Sequence, residues 1–197
     1  MMRQRAAQRN RVAKVQLRGQ TPTSPAESEN EHMHCPARKA LWYSLAIIVF
    51  VADQASKTYV NMTTGLGWSL EVTQFFNLVH VLNPGAAFSF LAGAGGWQRW
   101  FFLAIALAVS AWLAWQLSRP LHKWESISYS LILGGALGNG FDRAVRGHVI
   151  DYLDFHLRGL HWPAFNIADI AIVGGAIALV LQSLVSVGNP DVANESQ

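Results

Sequence analysis

The sequence predicts an all-α membrane protein with four transmembrane helices and a small β element outside the bilayer. Three observations carry this expectation. Hydrophobic residues make up 51% of the 197-residue chain and charged residues only 14%. Four apolar stretches, three of them free of Asp, Glu, Lys and Arg for 16 to 18 residues, approach the roughly 20 residues that a span requires. Basic residues gather ahead of the first stretch: residues 1–40 hold eight Lys/Arg against three Glu, and the other 157 hold seven against nine acids. A soluble nucleic-acid binder carries its basic residues across a folded face, so no nucleic-acid partner is expected. Cys35 is the only cysteine, which excludes an internal disulfide.

Residues 1–39 run from an Arg/Gln/Asn-rich start into TPTSPAESENE and lack clusters of large apolar residues. Such a composition predicts a disordered tail, here basic and cytoplasmic. No apolar run follows the first basic residues, so the start does not read as a secretory signal, and Met33 is an alternative start. His32, His34 and Cys35 in this tail read as solvated side chains and not as a metal site.

The first span is expected over Ala40–Met62, where ALWYSLAIIVFVA runs into the polar DQASK. Segment 63–98 follows. Its GWSLEVTQFFNLVHVL is rich in β-branched and aromatic residues and is bounded by Gly and by Asn83-Pro84-Gly85, a pattern of strands ending in a turn. An open sheet edge cannot face lipid, so this element belongs at or above the interface. AAFSFLAGAGGW after it could form a short interfacial helix. Trp100–Leu117 is the second span and Ser126–Phe141 the third, its GGALGNG permitting close helix contacts. Ile170–Val187 is the fourth, and 188–197 is a cytoplasmic C-terminal tail. Arg38-Lys39 before span one, and Arg119, His122 and Lys123 between spans two and three, place both termini in the cytoplasm. Segments 63–98 and 143–165 then share the opposite side, although Arg143, Arg146 and Arg158 run against that charge rule.

The polar residues at this far side are the candidate chemistry. Charged groups at the edge of a hydrocarbon slab are costly and usually line a functional cavity. Asp53 and Lys57, four apart, share a helix face and can pair, or they can simply anchor a helix end. Ser56 and Lys57 point about 100° apart on a helix and so cannot form a nucleophile–base pair. Asp142 and Arg143 are adjacent, and the guanidinium is expected to hold Asp142 ionised. Asp151 follows Val149-Ile150, and Asp169 opens span four three residues after Asn166. An antiparallel hairpin between them would bring the two carboxyls together, where they would titrate as a unit and share a proton. Taken alone, the same residues could be polar anchors at helix ends. There is no HExxH, no phosphate-binding loop with GKS/T and no GxSxG, and His80, His148, His156 and His161 show no ligand spacing.

Five blocks then resemble a known family: DQASK (53–57), NPGAAFSF (83–90), GALGNGFDR (135–143), GHVIDYLDF (147–155) and FNIAD (165–169). Together, in order across 40–187, they are similar to lipoprotein signal peptidase, the type II signal peptidase of bacteria. The resemblance implies a four-helix membrane bundle with a small periplasmic β-cradle, here at 63–98, and an outer helical loop. It implies an intramembrane aspartic endopeptidase of the bacterial inner membrane, acting on diacylglyceryl-modified prolipoproteins just before the lipid-bearing cysteine. Membrane lipids and cyclic lipopeptide inhibitors such as globomycin are the other partners implied, and neither metal nor organic cofactor is. Carried over by position, the catalytic aspartates are Asp151 and Asp169. Asn83 and Arg143 match positions that contact substrate or inhibitor. Asp53, Lys57, Gly85, Asn139, Asp142, Asn166 and Ala168 match supporting positions. Tyr152 stands where Phe or Met is usual. The competing class is a small transporter or channel with a buried relay of charges, against which stands the lack of an inverted repeat.

Overall fold

The computed structural model describes residues 36–85 and 96–188. The chain divides into two compact units, Met1–Arg38 and Lys39–Gln197, and almost all described residues lie in the second. Four long helices carry it: α1 (Pro36–Thr63), α2 (Trp97–Leu117), α3 (Lys123–Val145) and α4 (Ile167–Gly188). Strands β1 (Ser69–Thr73) and β2 (Phe76–Asn83) join α1 to α2, and β3 (Val149–Leu157) and β4 (Leu160–His161) join α3 to α4. The four strands form one antiparallel order, β1-β2-β3-β4.

Burial is inverted relative to a soluble protein. Asp53 and Lys57 are 0% exposed, while Ile48 on the same helix is 63% exposed. Val173, Ile177 and Leu181 of α4 also face outward. Water as the surrounding solvent would penalise such a surface, whereas lipid does not. Trp97–Leu117 and Ile167–Val185 are each long and apolar enough to cross a membrane. The helices pack through small residues. A β-carbon on Gly134 would sit 2.6 Å from the Ala46 carbonyl oxygen and 2.7 Å from Val49 Cβ, so glycine sets the α1–α3 approach. At the end away from the sheet, Trp42, Ala46, Leu113, Leu117 and Leu133 form an apolar core, and Tyr43 Oη donates to the Ala114 carbonyl at 2.7 Å.

One expectation is corrected here. The sheet is not confined to 63–98, because β3 and β4 supply half of its strands, and Phe165 bonds β3 along its other edge. Between α3 and α4 the chain forms a hairpin of β3 and the short β4, with Phe165 bridged back to Leu153. Helix α3 runs on past Phe141 to Val145, and the chain then turns at Gly147 (φ +85°) into strand. Val149 and Ile150 open this stretch with two β-branched residues, and Tyr152 and Phe155 add aromatic ones, which favours strand over helix. The AAFSFLAGAGGW helix and the tail with His32, His34 and Cys35 lie, but for Gly96 and Trp97, outside the described residues.

The β2–β3 pairing holds one irregularity that matters to the site. Leu78 pairs with Leu153, but Val81 pairs with Asp151, so β2 has one residue more than β3 across this interval. Such a bulge reverses which face each later β2 side chain occupies. Beyond it Leu82 and Asn83 pair with Ile150 and Val149, which puts Asn83 on the same face as Asp151. Unbulged pairing would have turned Asn83 to the other side.

Candidate active site

At the sheet end of the helices, Asp151 from β3 and Asp169 from the first turn of α4 face one another's charge. The amides that hold them come from three asparagines. Asn83 Nδ2 donates to Asp151 Oδ2 at 3.0 Å and Asn166 Nδ2 to Asp151 Oδ1 at 2.7 Å. Asn139 Nδ2 donates to Asp169 Oδ1 at 2.8 Å, and the Asn166 backbone N–H to Asp169 Oδ2 at 3.2 Å. Asn166 also caps α4, its Oδ1 accepting the Asp169 N–H at 3.1 Å. The reciprocal pair is a capping box, so the three-residue spacing of Asn166 and Asp169 fixes the Asp169 rotamer while it starts the helix.

Asp151 is 3% exposed. Burial, and next the charge of Asp169, push its carboxyl up to about 6 from 3.8, against the pull of Asn83, Asn166 and Lys57. The amides orient both carboxyls without cancelling charge. No ion pair reaches Asp151 or Asp169 among the described residues.

Beneath them lies a second layer. Lys57 Nζ meets Asp53 Oδ2 at 2.8 Å, Asp142 Oδ2 at 2.9 Å and Asn139 Oδ1 at 2.9 Å. Asp53 Oδ1 in turn accepts the Ala168 N–H at 2.9 Å, tying α1 to the start of α4. This approach needs bare backbone on α3. A β-carbon on Gly138 would lie 2.5 Å from Asp53 Oδ2, and one on Gly135 would collide with the Ala168 carbonyl. Gly85 (φ +109°) donates its N–H to Asn83 Oδ1 at 2.9 Å and thereby turns Nδ2 toward Asp151.

The expected Asp53–Lys57 pair is present and wholly buried. The expected Asp142–Arg143 pair is not. Asp142 is bonded by Lys57, Arg146 and Gln54, because neighbouring helical residues point about 100° apart and only Arg146, one turn on, shares its face. Arg143 instead donates to the Asn139 carbonyl at 3.2 Å and lies over the Phe102 ring at 5.3 Å, with Nε buried and partnerless. It lies within electrostatic reach of Asp169 and Asp151. Ser56 bonds the Asp53 carbonyl and accepts the Tyr152 hydroxyl, both at 2.8 Å, so it makes no pair with Lys57, and Tyr152 has more to do than a Phe would. The sequence reading missed Gln54 and Arg146. Gln54 bonds Asp53, the Gly138 carbonyl and Asp142, and Arg146 bonds Asp142, Gln54 and Thr58. The i,i+4 spacing of Asp142 and Arg146 was the available signal. Among the described residues no group of His, Cys, Asp and Glu could hold a metal ion.

The family profile described as Signal peptidase (SPase) II matches residues 45–185. A lipoprotein signal peptidase of Aeromonas hydrophila subsp. hydrophila is 53% identical over 154 residues, covering 77% of this chain and 92% of that protein. One from Cupriavidus pinatubonensis is 54% identical over 145 residues, covering 73% and 82%. A bacterial membrane enzyme structure obtained by the in meso method at 2.3 Å resolution is 30% identical. It matches with a TM-score of 0.67 over 75% of this chain and 90% of that one.

Proposed function

The chain belongs to the signal peptidase II family, an integral membrane protease family, and from that premise we propose that Asp151 and Asp169 form its catalytic pair. The substrates in this reading are diacylglyceryl-modified prolipoproteins, in keeping with the names of its relatives, cut just before the lipid-bearing cysteine. The observation that carries it is the holding of two charge-coupled carboxyls by amides alone. Carboxylates that repel with no cation in contact are stabilised by holding one proton between them.

Asp151, the buried member with the raised carboxyl, keeps that proton. Asp169 takes a proton from water as the water attacks the scissile carbonyl, and Asp151 then protonates the departing cysteine amine. The partnerless Nε of Arg143 is available to a substrate carbonyl, and Asn83, which bonds Asp151, is the second substrate contact. Asp53, Lys57, Gly85, Asn139, Asp142, Asn166 and Ala168 position these groups. Neither metal nor organic cofactor takes part.

The topology that suits this chemistry has all four helices crossing the bacterial inner membrane, with both termini cytoplasmic and the sheet as a cradle on the periplasmic side. Residues 1–39 form the basic tail, 40–187 the peptidase domain and 188–197 the C-terminal tail. Helices α1 and α3 tolerate the crossing because Asp53 and Asp142 are matched by Lys57 and Arg146. Lipid anchoring of the substrate fixes the depth of its peptide bond, which converts binding into orientation. Globomycin-type cyclic lipopeptides would bind at the same carboxyl pair.

The test is a gel-shift assay on a diacylated prolipoprotein with detergent-purified enzyme and no ion gradient. Wild type should cleave. Asp151→Asn and Asp169→Asn should bind globomycin without cleaving, since Asn keeps size and hydrogen bonding but cannot take a proton. Either variant keeping more than a few per cent of the rate removes that residue from the pair.

A further inference from the structure

On the side of α3 away from Asp151 and Asp169, α1 and α2 splay apart and leave an apolar cavity of about 400 Å³, within the roughly 300–1,000 Å³ range of ligand sites. Its floor is α3, through Leu137, Phe141 and Ala144, and its walls include Ile47 of α1 and Leu103 and Leu107 of α2. Successive α3 residues explain the separation. Asn139 and Arg143 point toward the carboxyl pair, while Phe141 and Ala144 point to this cavity. The Tyr43–Ala114 hydrogen bond closes it at the end far from the sheet. Leu107 and Ile47 are 58% and 61% exposed, so the groove opens sideways to whatever surrounds the helices.

Its other end is cationic. Arg99 Nη2 donates to the carbonyl of Ala144, a lining residue, at 2.9 Å, and the Arg99 Nε is buried without a partner. The guanidinium of Arg146 lies 5.9 Å from the ring of Phe141, another lining residue. Arg146 is matched by Asp142. Arg99, in contrast, has no carboxylate in ion-pair range among the described residues. We propose that this groove is a binding site for an anionic diacyl phospholipid, with an acyl chain along α3 and the phosphate at Arg99. An apolar trough with one unmatched cation at its mouth fits the shape and sign of such a molecule, and a neutral lipid would leave that charge unused. The site is separate from the carboxyl pair and does not depend on the chain being a peptidase.

Native mass spectrometry of the full chain, delipidated in detergent and offered phosphatidylglycerol, phosphatidylethanolamine or diacylglycerol, tests this. Phosphatidylglycerol should be retained about fivefold over the other two, the factor expected of one basic residue at an anionic headgroup. Arg99→Gln should erase the preference and Arg99→Lys restore it. Leu107→Trp, which fills the trough from its exposed side, should reduce retention of every lipid. Equal retention of all three lipids by wild type overturns the proposal, as does an unchanged preference in Arg99→Gln. So does preferred diacylglycerol, which would make the trough a place for the substrate's own chains. Cleavage by wild type, measured separately, stands or falls apart from these results.

Discussion

Lys57 donates to the side-chain oxygen of Asn139 at 2.9 Å, and this decides which way the Asn139 amide faces. An ammonium can only donate, so Oδ1 must turn to Lys57 and Nδ2 must turn to Asp169. The buried cation therefore reaches the carboxyl pair through an intermediary. Lys57→Met should release the amide and leave Asp53 and Asp142 short of a charge partner. The expected cost is about 3–5 kcal/mol of stability, read as lowered thermal unfolding in detergent. In whatever fraction folds, kcat should drop with KM nearly unchanged. A rise in KM with kcat unchanged would contradict a positioning role.

Asp142→Asn tests the corrected pairing. The loss should couple to Lys57 and Arg146 in double-mutant cycles, at about 1–3 kcal/mol, because those side chains bond Asp142. Coupling to Arg143 should be near zero. A large Asp142–Arg143 coupling would restore the pairing that adjacency suggested.

The pH dependence follows from Asp151. Its carboxyl is raised from 3.8 to about 6, so the folded protein binds this proton more tightly than the unfolded chain does. The stability it contributes is complete below about 3.8 and fades as pH rises through about 6. If Asp151 keeps the shared proton, kcat should fall along a basic limb as that proton is lost. In Asp169→Asn the neighbouring charge is gone, and the Asp151 titration, followed by carbon-13 NMR of labelled aspartate, should move down. An upward move would mean that Asp169 is not a source of the shift.

Gly138→Ala should be more damaging than an added methyl usually is. The new β-carbon would lie 2.5 Å from Asp53 Oδ2 and 3.4 Å from Ala168 Cβ. Displacing Asp53 loosens both Lys57 and the Ala168 N–H, so a loss of about 1–3 kcal/mol is expected. Thermal unfolding of the variant checks it, with Gly174→Ala, where nothing lies within 4 Å, as the tolerant comparison.

Much of this site is written along the chain. Asp53 and Lys57 are four apart on one helix, Asn166 and Asp169 are three apart at a helix start, and both spacings act locally, so both pairs are readable. Strands β1 and β2 announce themselves by their β-branched and aromatic residues. What the sequence hides is decided between elements. Asp142 pairs across to Lys57 because α1 and α3 pack on glycine, and adjacency to Arg143 misleads. Gln54 looks like one more polar residue until α3 offers it the Gly138 carbonyl and Asp142. The part of 143–165 that joins the sheet was invisible because its partner, β2, lies some seventy residues earlier.

The supernumerary residue between Leu78 and Val81 makes strand length itself a determinant of chemistry. Asn83 reaches Asp151 because β2 counts three steps where β3 counts two. Scanning this stretch by substitution would find little, since no single side chain within it makes the turn-over of faces. Removing one residue would swing Asn83 away while leaving every polar group of the site in the polypeptide. The pocket can thus be lost by arithmetic alone, which makes this strand the place where a shortened homologue would be expected to lose its hold on Asp151.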